Sequence, residues 1–239
     1  MHEGRTPAMS TRYAIYYAPA PGAPSWQAGC RWLGRDAATG VEMDQPSVPG
    51  FTPDAVRRLT ASARMYGLHA TLKPPLRLAD GCSVSALERA LSAFAAARAP
   101  IRDLGVQVRP LSDFLALQPT AASPALMRLA DECVIHFDPF RRPAEEAELA
   151  RRRASGLNAR QEALLARYGY PYVLDQFRFH ITLTDRLTAQ ELAALHPWLS
   201  RYFSDAVRVP LTLDDICLFV QDGPGAPFRL ASRHPLLGG

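Results

Sequence analysis

Lysine is almost absent from this chain. Of 27 basic residues in 239, all but Lys73 are arginine. Such a skew follows from a GC-rich genome replacing lysine wherever either cation serves, and a compact ammonium and a planar guanidinium are not interchangeable beside a phosphate. Lys73 is therefore a candidate for a specific role. Cysteine is scarce as well: Cys30, Cys82, Cys133 and Cys217 lie far apart, with no CxxC pair and no zinc-type spacing, which argues against a zinc module and predicts a cytoplasmic protein with reduced, mostly buried thiols. No apolar run approaches the ~20 residues of a membrane helix, so no membrane partner is expected. The segment after Met1 lacks the hydrophobic stretch of a secretory signal, and residues 1–11 are expected to be disordered. Phosphate-loop, dinucleotide and nucleophile-elbow motifs are missing. No His/Asp/Glu group has obvious metal-ligand spacing, so neither metal nor cofactor is expected. A net charge of +4 permits an anionic ligand but is thin for binding long duplex nucleic acid.

The patterning predicts strands at 12–18, 68–72, 104–109, 113–118, 177–184, 208–220 and 227–232. Helices are expected at 26–33, from Pro53 to about 63, at 83–98 and 124–133, over 143–167 with a break at Gly156, and at 188–195, where Thr188 and Glu191 have capping-box spacing. Pro74-Pro75 is expected to end the 68–72 strand. Helices and strands mix without βαβ alternation, which predicts an α+β fold with antiparallel sheets, here a single domain over residues 12–239.

Two short strings carry the chemistry: His69-Ala70-Thr71-Leu72 and His180-Ile181-Thr182-Leu183. Side chains at i and i+2 of a strand share a face, so each string presents one imidazole and one hydroxyl together. In the second, Phe177, Phe179, Ile181 and Leu183 would point to the core, with Arg178, His180, Thr182 and Thr184 on the polar face. In the first, Lys73 would join His69 and Thr71. With both faces turned to one cleft, Thr71 and Thr182 would hold a phosphate, with charge from Lys73 or Arg178. The histidines would flank phosphorus as general acid and base, and a strained cyclic phosphodiester suits such an apparatus. Tyr66 is a candidate pocket residue; His136 and the Arg151–Arg153 run carry no such pattern and fit structural and solvated roles.

At these residues the chain resembles the 2H phosphoesterase superfamily, defined by two HxTx motifs. The flanking Tyr66-Gly67-Leu68-His69-Ala70-Thr71-Leu72-Lys73-Pro74-Pro75 and Tyr168-Gly169-Tyr170-Pro171 are similar to the branch encoded beside carbon–phosphorus lyase genes. The resemblance implies a bilobal fold with two antiparallel sheets and flanking helices around a central cleft. It also implies metal-independent cyclic phosphodiesterase activity, with His69 and His180 as acid and base and Thr71 and Thr182 on the phosphate. For that branch it points to a small anionic phosphoester such as 5-phosphoribosyl 1,2-cyclic phosphate. RNA 2′,3′-cyclic phosphate ends, or non-catalytic nucleotide or phosphosugar binding, are the alternatives.

Overall fold

A computed structural model describes residues 11–238; the expected disorder of the N-terminal segment falls, but for Thr11, outside those residues. Nine strands and eight α-helices follow one another as β1 (Arg12–Tyr17), α1 (Pro24–Leu33), α2 (Pro53–Leu59), α3 (Ala61–Tyr66), β2 (Ala70–Leu76), α4 (Val84–Ala96), β3 (Ile101–Leu104), β4 (Val106–Leu111), β5 (Phe114–Pro119), α5 (Pro124–His136), α6 (Glu146–Arg153), α7 (Ala159–Tyr168), β6 (Ile181–Thr182), α8 (Ala189–Tyr202), β7 (Leu211–Leu213), β8 (Asp215–Gln221) and β9 (Arg229–Pro235). The fold is α+β with two antiparallel sheets. Seven strands form the larger one in the order β4-β5-β6-β2-β1-β8-β9, while β3 and β7 pair apart. β6 and β2, which carry the two strings, are thus neighbours near the middle of the large sheet.

Apolar side chains of β1, β2, β5, β6 and β8 join those of α1, α4, α5 and α8 in one continuous core that includes Trp26 and Trp32. Trp32 also donates its indole N–H to the Leu183 carbonyl at 2.7 Å, tying the end of the second string to α1. Thr52, Ser83, Ser123, Asn158 and Thr188 each accept from a first-turn backbone N–H, and Asn158 and Thr188 form capping boxes. The four cysteines are free, and only Cys82 is not buried.

Several boundaries differ from expectation. The helix starting at Pro53 breaks at Thr60, whose hydroxyl donates back to Val56 O at 3.0 Å. α5 continues past the expected end at Cys133 to His136. β2 passes through Pro74-Pro75 to Leu76. It can do so because its pairing with β6 is confined to Ala70 and Ile181 and its pairing with β1 shifts register between Lys73 and Leu76, so neither proline's missing N–H interrupts a ladder bond. The second string has regular pairing only at Ile181 and Thr182. Thr184 lines the same cleft as His180 and Thr182, as expected, but is largely buried, and its hydroxyl accepts from the Leu115 N–H at 2.9 Å, standing in for a ladder carbonyl.

Candidate active site

Antiparallel pairing of β2 with β6 sets the two strings side by side. Since Ala70 stands opposite Ile181, ladder geometry places His69 beside Thr182 and Thr71 beside His180. The four side chains make a two-by-two patch with local twofold symmetry. Directly opposed side chains have Cβ atoms roughly 4.5–5.5 Å apart, and diagonal ones roughly 7–8 Å. The imidazoles therefore occupy one diagonal and the hydroxyls the other, all lining one cleft of about 460 Å³.

Both imidazoles are anchored alike. The Nδ1–H of His69 donates to the Gly67 carbonyl at 2.9 Å, and that of His180 to the Arg178 carbonyl at 2.7 Å. A carbonyl only accepts, so each Nδ1 carries a proton and each Nε2 is left as the basic nitrogen. Tyr16 stacks on His69 with ring centroids 3.9 Å apart, and Phe114 lies 5.8 Å from His180. Burial pushes His69 down to about 4, against the bond to Gly67 and with help from the charge of His180. His180 is also lowered, chiefly by burial and against its bond to Arg178. Both are neutral at pH 7 in the free protein.

The backbone that presents His69 is specialised. Gly67 ends α3 with φ 76° and ψ 176°, a region open essentially only to glycine. A Cβ there would also lie 2.5 Å from that of Ala37. The carboxylate of Asp185, just past the second string, accepts from the N–H groups of Ser62 and Ala63. It caps the helix that leads to the first string.

Three arginines line the cleft. Arg12, on β1, donates to the side chain of Gln221 at 2.6 Å, and among the described residues no carboxylate pairs with it. Arg152, on α6, bonds Glu148 at 3.0 Å and lies over the Tyr170 ring, while its buried Nε has no hydrogen-bond partner among the described residues. Arg186 is exposed and 3.5 Å from Asp113. The arrangement combines two basic ring nitrogens, two hydroxyls and guanidinium charge in one cleft, which suits binding an anion and moving a proton on either side of it.

Of the residues singled out in the sequence, His69, His180, Thr71, Thr182 and Tyr66 meet in this cleft. Lys73 and Arg178 do not line it. Between Thr71 and Lys73 the ladder slips: Tyr16 pairs with Thr71, but Ile15 pairs with Lys73. The extra residue of this bulge turns Lys73 to the face opposite Thr71. There Lys73 is buried, donating to Val134 O at 2.8 Å and to Asp138 at 3.3 Å. Burial lowers it to about 8, with Asp138 opposing. Arg178 is exposed beside a neighbouring cavity of about 500 Å³, and its carbonyl is what reaches His180.

Sequence patterning missed Arg12, Arg152, Arg186 and Asp185. Arg152 sits in a charge run that resembles a solvated face, and only the packing of α6 against Tyr170 shows otherwise. Asp185 directly follows His180-Ile181-Thr182-Leu183-Thr184, a position that carries no local signal of a cap on α3.

A family model described as "Protein of unknown function (DUF1045)" matches residues 71–229. The chain belongs to this family. It is 44% identical over 232 residues to ribose 1,5-bisphosphate phosphokinase PhnN of Janthinobacterium sp. (strain Marseille), covering 95% of this chain and 51% of that protein. To the protein of the same name from Laribacter hongkongensis (strain HLHK9) it is 36% identical over 224 residues, covering 92% and 50%. The chain thus spans about half the length of these curated relatives. Similar solved structures include a phosphoesterase (TM-score 0.42, 14% identity, 95% of this chain and 98% of that one) and E. coli LigT complexed with 3′-AMP (TM-score 0.45, 16% identity, 95% and 98%).

Proposed function

We propose that this protein is a metal-independent cyclic phosphodiesterase of the 2H type, acting on a phosphosugar cyclic phosphate. The observation that carries the proposal is the Ala70–Ile181 pairing, which sets two identically anchored His/Thr pairs around one point. A phosphate at that point accepts from the hydroxyls of Thr71 and Thr182 and is held by Arg12 and Arg152. The imidazoles then stand on opposite sides of phosphorus, as in-line displacement requires.

In hydrolysis, Nε2 of one histidine takes a proton from the attacking water as its oxygen bonds phosphorus. The ring P–O bond breaks, and the second histidine gives its Nε2 proton to the departing alkoxide. Burial lowers both imidazoles in the free protein, and the bound anion supplies the charge that keeps the histidine acting as acid protonated. Such paired proton transfer contributes on the order of 10²- to 10⁴-fold each, with electrostatic clamping by the arginines adding to it.

A ribose substrate is supported by the two half-matching relatives, whose name specifies a ribose bisphosphate. The candidate is 5-phosphoribosyl 1,2-cyclic phosphate, which would place the protein in phosphonate metabolism. An RNA 2′,3′-cyclic phosphate is the second reading. It is favoured by the cavity beside His180, whose lining includes the aromatic residues Phe114, Tyr170, Tyr172 and Phe177. Hydrolysis of both esters, measured side by side in EDTA, tests the proposal. Turnover of the phosphosugar ester above the nucleotide supports it, the reverse preference favours RNA, and no turnover of either overturns the enzymatic reading.

A further inference from the structure

Beyond the Pro74-Pro75 ridge, the histidine cleft adjoins a second cavity of about 260 Å³, and Arg12, Pro74, Pro75 and Tyr170 line both. Its other walls carry Arg77, Arg141, Arg142 and Arg151, with Lys73 buried among them and Glu148 as the lining carboxylate. Basic side chains outnumber carboxylates along its lining. Asp138 is shared by Lys73 and Arg141, Glu148 by Arg77 and Arg152, and Asp80 takes Arg142. Arg12, on the boundary, has no carboxylate among the described residues.

The cavity is also built rather than incidental. Asp138 holds Arg141 through Nε at 2.8 Å, and the same guanidinium donates to Arg167 O at 3.0 Å, so it is fixed in orientation. Gly169 closes α7 in the left-handed region at φ 71°, and a Cβ there would approach Arg141 Nη1 to 3.1 Å. That turn delivers Tyr170 to the wall common to both cavities. Lys73 is held here by the bulge that removes it from the histidine cleft. Fixed guanidinium groups around a small concavity are the chemistry that recognises a phosphomonoester, which offers three acceptor oxygens and up to two negative charges.

We infer that this cavity is a separate phosphomonoester subsite, so that the substrate carries a terminal phosphate in addition to the ester bond cleaved between the histidines. The inference rests on the catalytic reading of the neighbouring cleft and narrows it to doubly phosphorylated small molecules. It assigns the basic cavity to the terminal phosphate and Arg12 to the space between the two phosphorus atoms.

Two measurements separate this inference from the reading beneath it. First, kcat/KM is compared for ribose 1,2-cyclic phosphate with and without a 5-phosphate, in the wild type and in Arg141→Gln and Arg142→Gln. A charge-assisted contact is worth roughly ten- to a hundredfold. The wild type should prefer the 5-phosphate by at least about that factor. Arg141→Gln should lose about tenfold or more of the preference while keeping its rate on the dephosphorylated ester. The surface variant Arg142→Gln should lose less, and it guards against misfolding of the first. Second, calorimetric binding of ribose 5-phosphate should survive His69→Ala and weaken in Arg141→Gln. Equal rates on the two esters, or ribose 5-phosphate binding abolished by His69→Ala and untouched by Arg141→Gln, would overturn the subsite. Failure to hydrolyse any cyclic ester, with ribose 5-phosphate still bound in an Arg141-dependent way, would overturn the catalytic reading and leave the subsite standing.

Discussion

Gly67→Ala probes how the fold presents its first histidine. Gly67 has φ 76° and ψ 176°, and holding a residue with a side chain in that region costs about 1–3 kcal/mol. The new methyl group would sit 2.5 Å from the Cβ of Ala37, and overpacking of this kind adds about 1–3 kcal/mol. The substitution should therefore destabilise the protein by about 2–6 kcal/mol, or force the turn to a new conformation that moves the Gly67 carbonyl from His69 Nδ1. Urea unfolding followed by fluorescence reads the first effect, through a fall in midpoint at constant slope. Turnover of a cyclic phosphodiester by the folded fraction reads the second, and it should drop because the imidazole loses its fixed tautomer. A midpoint within about 0.5 kcal/mol of wild type, with full activity, would refute the claim that this glycine's geometry orients His69.

Acid should destabilise the protein through His69. Its pKa is about 4 when folded and about 6.5 when unfolded, so the unfolded chain binds more protons between those values. Stability therefore rises with pH across the window, by up to about 3 kcal/mol. His69→Asn should flatten the unfolding midpoint between pH 4 and 6.5, and an unchanged slope there would argue against the shift. Thr184→Val should cost about 1–3 kcal/mol by leaving the Leu115 N–H unpaired, readable as a lower melting temperature. A wild-type melting temperature would show that this hydroxyl is not needed by the ladder. Thr71→Val and Thr182→Val should each lower kcat/KM by about ten- to a hundredfold with little change in stability. Unaltered kinetics in both would remove the threonines from phosphate binding.

The sequence made most of this architecture legible because its signals were local. The helix starts at Ser83 and Thr188 rest on caps that act within one turn, and period-two alternation over 177–183 reports which side chains are buried, although only Ile181 and Thr182 pair as a strand. The pairing of His69 with Thr71 and of His180 with Thr182 is equally local. Lys73 escaped because a bulge depends on the partner strand: nothing near Thr71 states that Ile15, not Ala14, will stand opposite residue 73. Pro74 and Pro75 were legible as breakers, but their tolerance depends on an edge that β6 leaves unpaired and on a register shift against β1. The arginines were hidden for a different reason. In a chain that uses arginine for almost every cation, residue type does not distinguish Arg12 and Arg152 from the solvated remainder, and only their partners do. Asp185 and α3 are more than 120 residues apart, so a cap between them leaves no sequence signature.

The most direct test of the central claim is a double-mutant cycle on the two histidines, measured as kcat for a cyclic phosphodiester in EDTA. Groups that act as one proton-transfer unit are non-additive. His69→Ala and His180→Ala should each reduce turnover on the order of 10³-fold, with their double mutant little worse than either alone and all three folded. Wild-type-like turnover in either single mutant, or losses that simply multiply in the double, would contradict a cleft in which these two imidazoles work on one phosphate.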